Sequence, residues 1–201
     1  MRLHTLLLWL PLAIATPPGG EDGARTLYHA VARGTGLPEQ VFAMAVQRAE
    51  REGALPAVLA IANMRQPSSE PRLYVFDLRE RKLLLRTWVA HGLGSGGDRC
   101  ERVSNREGSR CTSAGLLRVG ERIVSPKHGH ALLLHGLDPG INDRALEREI
   151  IIHGADYVSP EFIRREGRLG RSWGCPAVAR ADMARLLDLL PTGSLLYIQA
   201  P

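Results

Sequence analysis

The spacing of apolar residues changes at about Arg72, and that change limits the fold more than any other feature of this 201-residue chain. Between Arg25 and Asn63 apolar side chains recur with helical spacing, interrupted at Gly34 to Pro38 and again near Gly53 to Pro56. Leu37, Val41, Met44, Ala45 and Val46 cover one face of a short helix that begins near Pro38. From Arg72 the chain breaks into short runs rich in Val, Leu, Tyr and Phe. Leu73 to Asp77, the charged turn Leu78 to Arg81, and Lys82 to Ala90 read as a hairpin. Further strands are expected at Gly115 to Val119, Ala131 to His135, Glu149 to His153 and Ser194 to Gln199. A helix over Arg180 to Leu190 is stopped by Pro191 and Gly193. The pattern predicts a mainly β (α+β) domain with a short N-terminal helical lead-in and peripheral helices, and 44% hydrophobic content supplies a real core.

Residues 1 to 15 read as a secretory signal peptide: Arg2 gives a positive start, Leu6 to Ile14 an apolar stretch, and Ala13-Ile14-Ala15 an A-x-A cleavage site. The apolar run is too short for a spanning helix and contains Pro11, so no stable membrane anchor is expected after cleavage. A linker over 16 to 23 and a helical extension over 24 to 63 are then expected before the main domain at 64 to 201. An exported chain is periplasmic or extracellular. The net charge of +5 comes from Arg scattered along the chain, and with aromatic residues at only 5% this reads as a solvated surface, not a nucleic-acid face.

Oxidising compartments pair thiols, so three cysteines leave one to be explained. Cys100 and Cys111, with ten residues between them, are the candidate disulfide, which leaves Cys175 free. A free thiol near its ordinary pKa of about 8.5 is mostly protonated at neutral pH, and a nucleophilic one needs an imidazole close by. His153, at the end of the apolar run Ile150-Ile151-Ile152, is the best candidate for that base. Gly154 lets the chain turn and leaves a carbonyl able to fix the ring tautomer. In Arg171-Ser172-Trp173-Gly174-Cys175-Pro176, the proline removes the next amide hydrogen. An oxyanion hole is therefore expected from the N–H groups of Gly174 and Cys175, helped by Ser172.

His153-Gly154 followed by Ser172-x-Gly174-Cys175 resembles the signature of the murein L,D-transpeptidase catalytic domain. Eighteen residues separate His153 from Ser172, more than in the familiar pattern, and Trp173 stands where that pattern has a second His. This form is similar to the branch in which Ser-Trp-Gly-Cys-Pro-Ala is the motif. That branch is echoed by Asn63 to Asp77, Val89-Ala90-His91-Gly92, Gly140 to Asp143 and His153 to Tyr157, so the likeness spans about residues 55 to 200. The resemblance implies a mixed β-sandwich and a cell-wall-associated enzyme acting on peptidoglycan stem peptides without a cofactor or metal. Cys175 is then the nucleophile, His153 the base and Gly154 the carbonyl that orients it, with Ser172 and Gly174 shaping the oxyanion pocket. For the missing second His, either the Trp173 indole packs on the stem or His91 takes over its polar contacts. Arg171 is expected to pair with a stem carboxylate or to form a surface salt bridge.

Two readings from other chemistry compete. His128, His130, His135 and His153 could assemble an open zinc site for a wall peptide hydrolase, although no H-E-x-x-H pattern is present. A wall-binding module without catalysis would use Trp173 and Tyr157 to stack on glycan or peptide.

Overall fold

The computed structural model describes residues 21–201. The expected leader, and residues 16 to 20 of the expected linker, lie outside the described residues. Two helices come first, α1 (Glu21–Val31) and α2 (Glu39–Glu50). The strands that follow are β1 (Val58–Asn63), β2 (Leu73–Asp77), β3 (Lys82–Thr87), β4 (Gly115–Ser125), β5 (Gly129–Gly136), β6 (Ile151–Gly154), β7 (Ala177–Val178) and β8 (Leu195–Gln199). Helix α3 (Pro160–Glu166) lies between β6 and β7, and α4 (Arg180–Leu189) between β7 and β8. The strands form one mixed sheet in the order β3-β2-β1-β8-β4-β5-β6-β7, parallel only at β1–β8 and β6–β7. The fold is mainly β with a few helices, as expected.

The helical reading of Arg25 to Asn63 fails at its C-terminal end. Helix α2 does begin at Pro38, but Val58–Asn63 is the strand that joins the β2–β3 hairpin to β8. Both of its faces are buried: Leu59 and Ile61 face the core shared with α1 and α2, while Ala60 and Ala62 face the opposite core. A strand covered on both sides shows a continuous apolar run, which periodicity does not separate from a buried helix. The expected main-domain boundary at residue 64 therefore cuts directly after a strand at the middle of the sheet.

The sheet separates two apolar clusters. Phe42, Ala45, Val46 and Ala49 of α2 pack on Tyr74, Phe76, Leu116 and Tyr197, with Phe42 edge-on to Phe76 at 5.5 Å. On the other face Val75, Leu117, Leu132, Ile152 and Leu196 meet Met183 and Leu186 of α4. Arg48 ties α2 to the sheet: its Nε donates to Asp138 at 2.7 Å, and the other Asp138 oxygen accepts the Leu116 N–H at 2.7 Å. Gly115, at φ +91°, admits that carboxylate, since a Cβ there would collide with it.

The least ordinary group in the core is Arg72, fully buried and with no carboxylate partner among the described residues. Its Nε donates to Val89 O (2.9 Å), Nη1 to Met64 O (3.2 Å) and Gln66 O (2.7 Å), and Nη2 to the ring of His91 (2.8 Å). Burial pulls its pKa down to about 10, which leaves it charged at neutral pH. Replacing it with Met strands the Val89 and Gln66 carbonyls and an imidazole nitrogen, while Met64 O keeps the Cys100 N–H. Arg72→Met is expected to lower the unfolding free energy by about 3 kcal/mol or more in urea titrations. A loss below about 1 kcal/mol would show that water reaches those acceptors instead.

Candidate active site

The loop that carries Cys175 is laid along the His153 strand because β7 pairs with β6. His153 aligns with Ala177, its N–H reaches Pro176 O at 3.4 Å, and the motif loop is thereby laid beside the imidazole. From the other side, Ala90 bridges Ala177 and Gly92 bridges Ser172, with Ser172 N–H donating to His91 O (3.1 Å) and Leu93 N–H to Ser172 O (2.8 Å). The loop is thus stitched between two sheet-derived segments.

His153 is buried, and its Nδ1 lies 3.1 Å from Gly154 O. A carbonyl only accepts, so Nδ1 carries the proton and Nε2 keeps a lone pair. Burial drives the His153 pKa down to about 4, against the Gly154 hydrogen bond that raises it, and His128, Lys127 and Arg180 lower it further. The ring is therefore neutral at physiological pH. His128, on the turn between β4 and β5, stacks on it with ring centroids 3.8 Å apart.

The Cys175 thiol, which is half-buried, donates to Glu149 O at 3.6 Å and not to the imidazole. Glu149 sits at φ +55°, a left-handed conformation that turns its carbonyl toward the sulfur. Burial pushes the thiol pKa up. The Ile151 N–H, the Arg148 charge and the thiol's own N–H pull it down, while the Glu149 carboxylate adds to the rise.

The expected oxyanion pocket needs correction. Ser172 Oγ donates to Cys175 O at 2.5 Å and accepts the Gly174 N–H at 3.1 Å, so Ser172 and Gly174 brace the loop and have no donor to spare. The N–H groups that remain on the sulfur are those of Cys175 and Ile151. Gly174, at φ +132°, is needed because a Cβ there would lie 2.9 Å from Cys111 O.

His91 does not reach the open site. It is buried on Arg72, whose guanidinium can only donate, so His91 Nδ1 accepts and the proton sits on Nε2. Burial and the Arg72 charge pull its pKa down to about 4. Trp173, by contrast, is 65% exposed, with the Arg110 guanidinium 4.7 Å and the Lys127 ammonium 4.4 Å from its ring centre. Arg171 donates to Gly96 O (2.9 Å) and makes no salt bridge within the described residues, so the surface ion pair expected for it is not formed. The Cys100–Cys111 disulfide is not formed either: all three cysteines are free, and each of these two thiols turns onto its own loop, Cys100 to Arg102 O and Cys111 to Ser109 O. The four histidines do not converge as a zinc site would require. His130 and His135 lie five positions apart on β5 and so face opposite sides, and His128 is stacked on His153. Among the described residues no group of three or more His, Cys, Asp or Glu is placed to hold a metal ion.

Sequence reasoning grouped His128 with His153 only as zinc ligands, where the structure stacks the two rings, and it missed Arg148, Arg110 and Lys127 around the motif loop. These come from turns and loops whose approach to the site depends on strand pairing. The one local signal was Arg148 directly before the segment that leads into Ile150-Ile151-Ile152-His153.

The mixed sheet puts the buried, carbonyl-oriented His153 on the strand paired with the Ser-x-Gly-Cys loop, in a fold that is mainly β as the L,D-transpeptidase resemblance implies. The family comparison agrees: the model of the L,D-transpeptidase catalytic domain matches residues 35–199, and the chain belongs to that family. Among solved structures it is similar to an L,D-transpeptidase from Mycobacterium smegmatis (15% identity, 72% of this chain and 59% of that one, TM-score 0.44). It is also similar to L,D-transpeptidases from Stackebrandtia nassauensis (14%, 89% and 78%, TM-score 0.45) and Xylanimonas cellulosilytica (13%, 88% and 78%, TM-score 0.45). The chain spans about three fifths of the mycobacterial protein. No curated protein matches it.

Two buried histidines with pKa values near 4 make stability depend on pH. In the unfolded chain each takes a proton near pH 6.5, whereas in the folded protein it does so only near 4. The unfolded state therefore binds more protons between those values, and stability that is full above about 6.5 falls as the pH drops toward 4. Each imidazole is expected to contribute up to about 3 kcal/mol, of which about 2 kcal/mol is lost between pH 7 and 5 and read as a falling urea midpoint. A flat midpoint over that range would mean that the two rings are hydrated.

Proposed function

We propose that the protein is an exported peptidoglycan L,D-transpeptidase that forms an acyl-enzyme on Cys175. The observation that carries this reading is the His153 Nδ1 to Gly154 O hydrogen bond on the strand paired with the Cys175 loop, because it leaves a neutral Nε2 as base beside a free thiol. Family membership supports it. So does the leader-like N-terminus, and among the described residues no helix is long and apolar enough to cross a membrane.

In this reading Sγ leaves Glu149 O, gives its proton to His153 Nε2 and attacks a carbonyl carbon of a stem peptide. The C–N bond to the terminal D-alanine breaks, and the leaving amine takes the proton back from His153. The N–H groups of Cys175 and Ile151 are the donors for the oxyanion. An acceptor amine, or water, then attacks the thioester, passes its proton to His153, and the proton returns to sulfur. Arg171, which lacks a carboxylate partner, is available to a stem carboxylate. Neutral His153 also predicts that its protonation limits turnover only near pH 4, while the raised thiol pKa favours the alkaline side.

Intact-protein mass spectrometry after incubation with a disaccharide-tetrapeptide or a carbapenem tests this. The wild type is expected to carry a covalent adduct and release D-alanine, with Cys175→Ala giving none and His153→Ala slowing acylation by roughly a hundredfold or more. The exposed Trp173 favours one second reading, a wall-binding module. Binding to sacculi that survives Cys175→Ser, with no D-alanine released by the wild type, would select it.

A further inference from the structure

Arg148, in the turn that leads into β6, holds a charge that no carboxylate among the described residues pairs with. Its Nη1 donates to Ser104 O (2.7 Å) and Ser113 Oγ (2.8 Å), and its Nη2 to Cys111 O (2.8 Å) and Ser109 Oγ (3.4 Å). All four acceptors are uncharged, and Arg148 makes no salt bridge within the described residues. The same Nη2 abuts the motif loop: a Cβ built on Gly174, next to Cys175, would lie 3.4 Å from it. The groups that feel its charge most are the thiols of Cys111 and Cys175, with Arg144 the like charge nearby.

A cysteine enzyme of the usual ion-pair kind balances its thiolate with an imidazolium. Here His153 is neutral at physiological pH, and the sulfur rests on Glu149 O, away from the ring. The thiolate therefore needs another cation.

We propose that Arg148 is the positioning residue that supplies that cation, stabilising the Cys175 thiolate as its proton leaves while its four hydrogen bonds fix the 104–113 loop against Gly174. The inference rests on Cys175 being the nucleophile. The other ionisable groups that face the sulfur do not replace Arg148: the Glu149 carboxylate opposes the thiolate, and Tyr157 is held neutral by its own burial. His153 then acts as proton carrier during acyl transfer, not as the partner of an ion pair.

The test is the pH dependence of Cys175 alkylation by iodoacetamide, followed by peptide mass spectrometry so that Cys100 and Cys111 do not contribute. In Arg148→Gln and in Arg148→Met, which keeps the apolar stem, the midpoint is expected to rise by about one pH unit, slowing alkylation at pH 7 about tenfold. Arg148→Lys, with the charge restored but most of the loop bonds lost, is expected to return the midpoint most of the way. An unmoved midpoint in either folded neutral variant overturns the proposal, as does an equal rise in the Lys variant, which would assign Arg148 to holding the loop alone. D-alanine release is measured beside it in the wild type. Its absence sinks the transpeptidase reading whatever the alkylation midpoint does, whereas release with an unmoved midpoint sinks only the role of Arg148.

Discussion

The fully buried Arg72 guanidinium is the interaction on which the site depends. It gathers carbonyls from Met64 and Gln66 after β1, and the Val89 carbonyl and the His91 ring from the segment after β3, two segments joined here by side-chain bonds. His91 then passes the constraint on through its backbone, since its carbonyl accepts the Ser172 N–H, and Ser172 Oγ braces both Gly174 and Cys175. A buried cation without a counter-ion is tolerated here because four aligned acceptors replace its hydration. The position of Cys175 is in this way tied to the middle of the sheet by one continuous chain of polar contacts.

The second organising effect is the neutrality of the imidazoles. Burial lowers both His91 and His153 well below their ordinary range, each for a different use. At His91 neutrality lets Nδ1 accept from Arg72, which a protonated ring could not do. At His153 it leaves a lone pair on Nε2, fixed by the Gly154 carbonyl. The cations near the motif are Arg148, which borders Gly174 and whose charge reaches the sulfur, and Arg110 and Lys127, which sit over the exposed Trp173 ring.

Much of this was legible because it is local. The β2–β3 hairpin, the later strands, the start of α2 at Pro38 and the α4 stop all follow from period and punctuation within a few residues. So did the candidate pair: an apolar run ending in His153-Gly154 and a Gly-Cys-Pro turn are short-range patterns. What failed was non-local. Strand β1 reads as helix because both its faces are covered, and α3 and the two-residue β7 are too short to carry a periodic signal. The expected Cys100–Cys111 pairing rested on counting, which does not know where a thiol points, and the expected Gly174 donor was already engaged by Ser172.

The sequence by itself determined most of the element types, the candidate pair His153 and Cys175, and the family to which the chain belongs. Only the tertiary structure decided how those residues are charged and held: that Arg72 supports the loop from below, that His128 stacks on His153, that the thiol rests on Glu149 O, and that Arg148 carries an uncompensated charge beside it. The physical reason is that burial, hydrogen-bond partners and Coulomb interactions are properties of distance in space. Residues 72 and 91, or 148 and 175, come within that distance only when the strands pair.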